Sequence, residues 1–363
     1  MDTLITNIGQ LVTPAPLRSV SGPSSPLVVR EHAHLLLRDG RIESISATPP
    51  REATAAEIDA KGGVVLPGWI DPHTHYPAAA DAGTRIGERL RRAVRSGITT
   101  VEVKCAHLQD LSALAGIVRS EPKSLPAVVP SLFGEPQTEA SARVEAMAGL
   151  IGDAIPTVRR RRLAEFFDVA CGEAAYSSEE ARTILRAARA GGLRLKIHAM
   201  SRDGDALGSV PTELGVTAVG HAPHLGDRAI ALWKKLGIVP VLVPGDALIG
   251  EVRPPDPRRW LDAGLAVGLG TNAGGGSKSV GSMWLVLALA IGEMGLSLEQ
   301  AIAAATLHNA HAIEAAADVG AVEVGKRADL ILLDIGDYRE LLGALGEEPI
   351  RAVVRGGEVV HER

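Results

Sequence analysis

Val64-Val65-Leu66-Pro67-Gly68-Trp69-Ile70-Asp71-Pro72-His73-Thr74-His75 is the stretch whose reading decides the fold. An apolar run ends in Pro-Gly, and two histidines follow one residue apart. On an extended strand, side chains at i and i+2 leave the same face. His73 and His75 can therefore reach one metal ion from the mouth of a strand. Downstream, β-rich runs alternate with helical ones. Strands are predicted at 64–70, 99–104, 127–132, 164–169, 194–198, 218–221, 238–243 and 266–271. Helices are predicted at 85–96, 108–119, 139–160, 178–190, 205–214, 227–236, 256–263 and 281–294. Ser177 with Glu180 three residues on is a capping box, and Gly191-Gly192 stops that helix. Eight successive strand–helix units favour an α/β fold, a closed (β/α)8 TIM-type barrel. An open doubly wound sheet is the alternative, but no glycine-rich dinucleotide fingerprint follows the first strand.

The two ends have a different texture. Residues 4–12 read as a strand, and 34–46 as a hairpin turning at Asp39-Gly40. The Pro- and Ser-rich stretch 13–26 reads as a surface loop. Strands return at 328–334, 350–355 and 358–361, the last two joined by Gly356-Gly357. The expected organisation is a small β-sandwich built from 1–65 and 320–363 around a catalytic barrel at 66–319.

Of 363 residues, 46% are hydrophobic and 22% charged, which suits a large buried core. Aromatics are only 3%, so that core must be mostly aliphatic. The net charge of -5, with lysine and arginine scattered, gives no footprint for nucleic acid. The longest strongly apolar run, 283–291, is too short to span a bilayer. Without a signal-peptide pattern, and with only Cys105 and Cys171, the expected location is cytoplasmic. A small-molecule substrate is the expected partner, with no nucleic acid and no membrane; a homodimer is allowed.

In such a barrel the chemistry sits at the C-terminal strand ends. Those ends carry His73 and His75, then His198, His221 and Asn272. Three imidazoles suffice to hold one divalent metal ion with a position open for water; zinc suits them best, and iron is also compatible. His221 stands where it could polarise a carbonyl or carry a proton. His107 and His224 follow strand ends and are further pocket candidates. His308 and His311 read as surface or packing residues of a late helix at 301–317, and His32, His34 and His361 as bystanders in the terminal strands.

At this point the chain resembles the amidohydrolase superfamily, and within it the imidazolonepropionases. The resemblance rests on Leu66 to His75, on Gly97-Ile98-Thr99-Thr100-Val101-Glu102-Val103-Lys104, and on Phe167 to Cys171 followed by Tyr176-Ser177. Leu195-Lys196-Ile197-His198-Ala199 and the tail motifs Gly325 to Leu330 and Ala352 to Gly357 complete it. It implies a metal held by His73, His75, His198 and the strand-eight residue, a catalytic His221, and hydrolysis of cyclic amides. Pocket contacts are expected from Tyr76, Arg85, Glu102, Lys104, His107, Glu173 and His224.

Departures from the family pattern shift the expected chemistry. Where the family has an aspartate after the strand-eight threonine, this chain has Asn272. Its amide oxygen can be a weak ligand but not a base near neutral pH. His221, His224, Asp81, Glu102 and Glu173 are the groups that could replace it. Met200-Ser201 and Cys105-Ala106-His107-Leu108 also differ from the family, and its propionate-clamping arginine falls on Ala82. Imidazolonepropionate is therefore not the expected substrate. Three readings remain: a hydrolase of another small cyclic amide or polar heterocycle, a non-hydrolytic enzyme using the metal as a Lewis acid (cyclase, dehydratase, isomerase or lyase), or a metal- or ligand-binding pseudoenzyme.

Overall fold

The protein, described from a computed structural model, is characterised at residues 2–16, 27–50, 55–75, 82–120, 123–173, 175–249, 255–275, 280–344, 346–347 and 349–363, without the side chains of 82–85 and 249. Eight parallel strands follow one another in chain order. They are Trp69–His75, Ile98–Cys105, Ala127–Gly134, Phe166–Cys171, Arg194–Ala199, Ala218–Gly220, Val239–Leu242 and Gly268–Leu269. Every predicted barrel strand is present within a few residues. The first is shorter at its start than expected. Val64–Pro67 belongs to the terminal sheet and Trp69–His75 to the barrel. Gly68 separates them because a Cβ there would lie 2.2 Å from Thr99 Oγ1.

Strand eight is only two residues long and meets strand one through few backbone contacts. Side chains complete the closure. Asp71 accepts from Thr271 Oγ1 at 2.5 Å and from Thr271 N at 3.2 Å. Higher up, Asn272 N donates to His73 O at 2.9 Å and His75 N to Ala273 O at 2.7 Å. Lower down, Asn309 comes from the late helical segment Leu298–Ala312. Its Nδ2 donates to Ile70 O at 2.6 Å and Leu269 O at 2.7 Å, and its Oδ1 accepts from Leu269 N at 2.9 Å. Gly268 leaves room for that side chain, since its Cβ would sit 2.5 Å from Asn309 Oδ1. Asn309→Ala would strand buried backbone groups on both strands. Removing such partners costs about 1–3 kcal/mol per group, so urea denaturation should show a loss of roughly 2–4 kcal/mol. His308, beside it, is buried with Nδ1 3.0 Å from Val267 O, a packing residue.

Two predicted helices are broken up. Over 139–160 the helix runs as Ala140–Gly149, a wider turn Leu150–Ala154, and Ile155–Arg161. Over 205–214 only short turns form, Gly204–Leu207 and Val210–Glu213, because Gly208 takes φ +56 between them. Leu108–Arg119, Ser178–Ala190 and Asp227–Leu236 form as read, the second with its Ser177–Glu180 capping box. Among the described residues no helix is long and apolar enough to cross a membrane.

Both chain ends build one further sheet. Its order is Glu358–Glu362, Ile350–Arg355, Leu330–Leu333, Val64–Pro67, Thr3–Pro14, Leu27–Arg38 and Arg41–Ser46, with Ala56–Asp59 beside Thr3–Pro14. The Asp39-Gly40 turn has φ +49 and +78, the primed geometry that suits a two-residue hairpin. The sheet curls until its far parts touch: Ile42 N donates to Lys326 O at 2.9 Å and Gly325 N to Ile42 O at 2.8 Å. Ile5, Ile8, Leu35, Leu37, Val65, Leu330, Leu332 and Val354 pack in one core between the facing parts. The sandwich is thus a single sheet folded over on itself. Of the expected loop at 13–26, Thr13 and Pro14 extend the first strand, and 17–26 lies outside the described residues.

Candidate metal centre

Three imidazoles converge at the C-terminal mouth of the barrel. His73 and His75 stand at the end of strand one and His198 at the end of strand five. One ring nitrogen from each lies within 4.8 Å of the others. His73 Nε2 and His75 Nε2 are 3.3 Å apart. The His73 ring fits because glycine stands at the end of strand six and just past strand eight. A Cβ on Gly220 would fall 2.4 Å from His73 Cε1, and one on Gly270 would fall 2.7 Å from His73 Cβ. Gly220→Ala should therefore displace the ring. Changes to groups that orient metal ligands typically cost about 10–100-fold in affinity, and zinc titration of the metal-free variant checks this.

The electrostatics favour neutral rings. Burial pushes the His73 and His198 pKa values well below that of free histidine, with the Lys104 ammonium and neighbouring imidazoles adding to it. Burial and Lys104 likewise bring His75 down to about 3. Neutral imidazoles offer lone pairs, the form that binds a cation. His198 Nδ1, His221 Nε2 and Asn272 Oδ1 are buried without a hydrogen-bond partner. Facing nitrogen donors with such orphaned acceptors nearby fit a divalent cation.

His221 closes the fourth side. Its ring centroid is 4.5 Å from that of His198 and 4.8 Å from that of His73. Its Nδ1 lies 2.7 Å from Asp246 Oδ2. Asp246 sits on the turn Pro244–Ile249 just past strand seven. No motif marks it, and the only sequence signal was an acid at a strand's C-terminal end. His221 and Asn272 both take positive φ, +49 and +54. Non-glycine residues in that region are uncommon and cluster at functional sites.

Close to the imidazoles lies a buried ion cluster. Glu102 Oε1 accepts from Lys104 Nζ at 2.9 Å and Ser131 Oγ at 2.6 Å, and Glu102 Oε2 from Lys196 Nζ. Lys104 Nζ also pairs with Asp168 Oδ2 at 2.7 Å. Lys196 Nζ lies 4.4 Å from the centre of the Phe166 ring. Burial alone would raise the Glu102 pKa, but the two ammonium groups outweigh it and hold the carboxyl below its ordinary value. Burial brings Lys196 down to about 8 despite Glu102.

The expected pocket residues separate accordingly. Glu102 and Lys104 are buried rather than on an open wall, paired with each other and with Lys196, Ser131 and Asp168. His107 is exposed as the residue capping Leu108–Arg119, and its side chain makes no capping bond. His224 is exposed, its backbone bridged to Asp203, and Glu173 is exposed. None of these three joins the histidine cluster. Tyr76, Asp81 and the side chain of Arg85 lie outside the described residues. Sequence reading missed Phe133, whose ring meets His75 edge-on at 4.9 Å between centroids and lies tilted 5.2 Å from His198.

Residues 64–360 match the Amidohydrolase family. Imidazolonepropionase of Solibacter usitatus is 32% identical, covering 100% of this chain and 99% of that protein. Imidazolonepropionase of Deinococcus deserti is 33% identical over 80% of this chain and 82% of its own. Among solved structures, E. coli guanine deaminase superposes with a TM-score of 0.76 at 17% identity, over 100% of both chains. A Xaa-Pro dipeptidase with bound methionine gives 0.76 at 18%, also over 100% of both. These two speak for the fold alone. With the family match over most of its length and relatives above 30% identity, the chain belongs to the amidohydrolase family, as an imidazolonepropionase-like member.

Proposed function

We propose that this protein is a metal-dependent hydrolase of a C–N bond in a small cyclic amide or related polar heterocycle other than imidazolonepropionate. The observation that carries this reading is the convergence of His73, His75 and His198 on one point, with the bare Nε2 of His221 beside them. His73, His75 and His198 would hold the ion, and the amide oxygen of Asn272 is a weak fourth donor. Nitrogen donors of this kind favour zinc, with iron as the alternative. Such an ion, when bound, polarises a carbonyl and acidifies water.

The remaining work falls to the chain's own groups. Asn272 is neutral and cannot accept a proton. His221 can, and its nitrogen lies among the ligand rings where a reacting amide would sit. Support for C–N chemistry comes from the imidazolonepropionase relatives. The altered positions Met200-Ser201, His107 and Ala82 argue against the propionate side chain as the group recognised.

A panel of lactams, hydantoins and imidazolones, run with zinc-replete protein in isotope-labelled water, tests this. Label entering the product supports hydrolysis. The missing strand-eight acid favours one second reading, a Lewis-acid cyclase, dehydratase, isomerase or lyase. Turnover of a panel compound without label in the product would select it.

A further inference from the structure

We propose that Asp246 is the positioning residue for His221: it accepts a hydrogen bond from Nδ1–H, fixes the ring's tautomer, and leaves Nε2 facing the site as the acceptor. This rests on the hydrolytic reading for its chemistry, but its geometry stands independently. The Nδ1–Oδ2 distance is 2.7 Å, a charge-assisted hydrogen-bond length. A bare Nδ1 facing a carboxylate would set two acceptors against each other, so the proton belongs on Nδ1. The backbone that carries Asp246 is held: Asp246 N donates to Val243 O at 3.2 Å, and the turn is seated where a Cβ on Gly245 would meet Val280 at 2.7 Å. At the other end of the ring, Nε2 is buried without a partner. The ring's direction is fixed by His221's left-handed backbone and by contacts with His198 and His73.

This pair stands in for the acid that position 272 lacks. As the oxygen of water bonds to the carbonyl carbon, Nε2 takes one of its protons. The same proton passes to the ring nitrogen of the substrate as the C–N bond breaks. The other water proton leaves with the carboxylic acid formed. Asp246 keeps its hydrogen bond to Nδ1–H throughout and stabilises the imidazolium while it exists.

Two-bond proton–nitrogen correlation spectra of the metal-free, nitrogen-labelled protein, in mildly alkaline solution, read the tautomer directly, with His221→Gln identifying the signals. The wild type and Asp246→Glu should show Nδ1–H with a bare Nε2, and Asp246→Ala should move toward the Nε2–H form that a free histidine side chain favours. On a hydrolysed panel amide, Asp246→Ala should lower kcat about 100-fold with KM little changed, and Asp246→Glu should recover part of it. A wild-type Nε2–H tautomer, a tautomer unmoved in Asp246→Ala, or unchanged kcat in that variant would overturn the assignment. If the wild type hydrolyses nothing on the panel, the hydrolytic reading fails while the spectra still decide the role of Asp246.

Discussion

Glu102→Gln should destabilise the barrel by about 3–5 kcal/mol, the range for removing one partner of a buried ion pair. Glu102 is the hub of the cluster: it faces Lys104, Lys196 and Ser131, all buried with it. After the change, Asp168 can still pair with Lys104. Lys196 would keep only the neutral amide and the Phe166 face. Two ammonium groups would then share one carboxylate in a buried site. The measurement is the urea midpoint at constant slope, compared with an exposed control such as Glu362→Gln. A loss below about 1 kcal/mol, the scale of a surface pair, would show that the cluster is not held as described.

His221→Ala should lower hydrolysis of a panel amide by about 10²–10⁴-fold, the usual contribution of a positioned acid–base group. Since His73, His75 and His198 are untouched, bound zinc should change little. That separates proton transfer from metal loss. In a protein where another group supplies the base, the variant would retain most of its rate.

The fold was legible because its signals are local and repeated. Strand and helix periods alternate eight times, and Asp39-Gly40 and Ser177 with Glu180 mark their own turn and cap. Gly68 hid the division of strand one, since an unbroken apolar run does not reveal that its halves join different sheets. The helix at 139–160 is interrupted at Leu150–Ala154, just before Pro156, whose missing N–H and ring break the i→i−4 ladder at Gly152; reading one continuous helix passed over that residue.

The site was legible where spacing does the work. His73 and His75 share a face by the i, i+2 rule, and His198 is found by its position at a strand end. Glu102 and Lys104 share a face by the same rule and were read as pocket residues. Alternation tells which side of a strand a residue takes, not which neighbours it meets across the barrel, and Lys196, Ser131 and Asp168 are what made them an ion cluster. Asp246 was invisible for another reason. It is one of 43 acidic residues, it has no motif, and its partner His221 is 25 positions away.

Metal analysis of zinc-repleted, desalted protein, wild type beside His198→Ala, decides whether the three imidazoles hold an ion. The wild type should retain about one divalent ion per chain, as expected for a mononuclear site of three imidazoles, and the variant a small residual fraction. Wild-type protein that retains no metal, or His198→Ala protein that retains as much as the wild type, would contradict it.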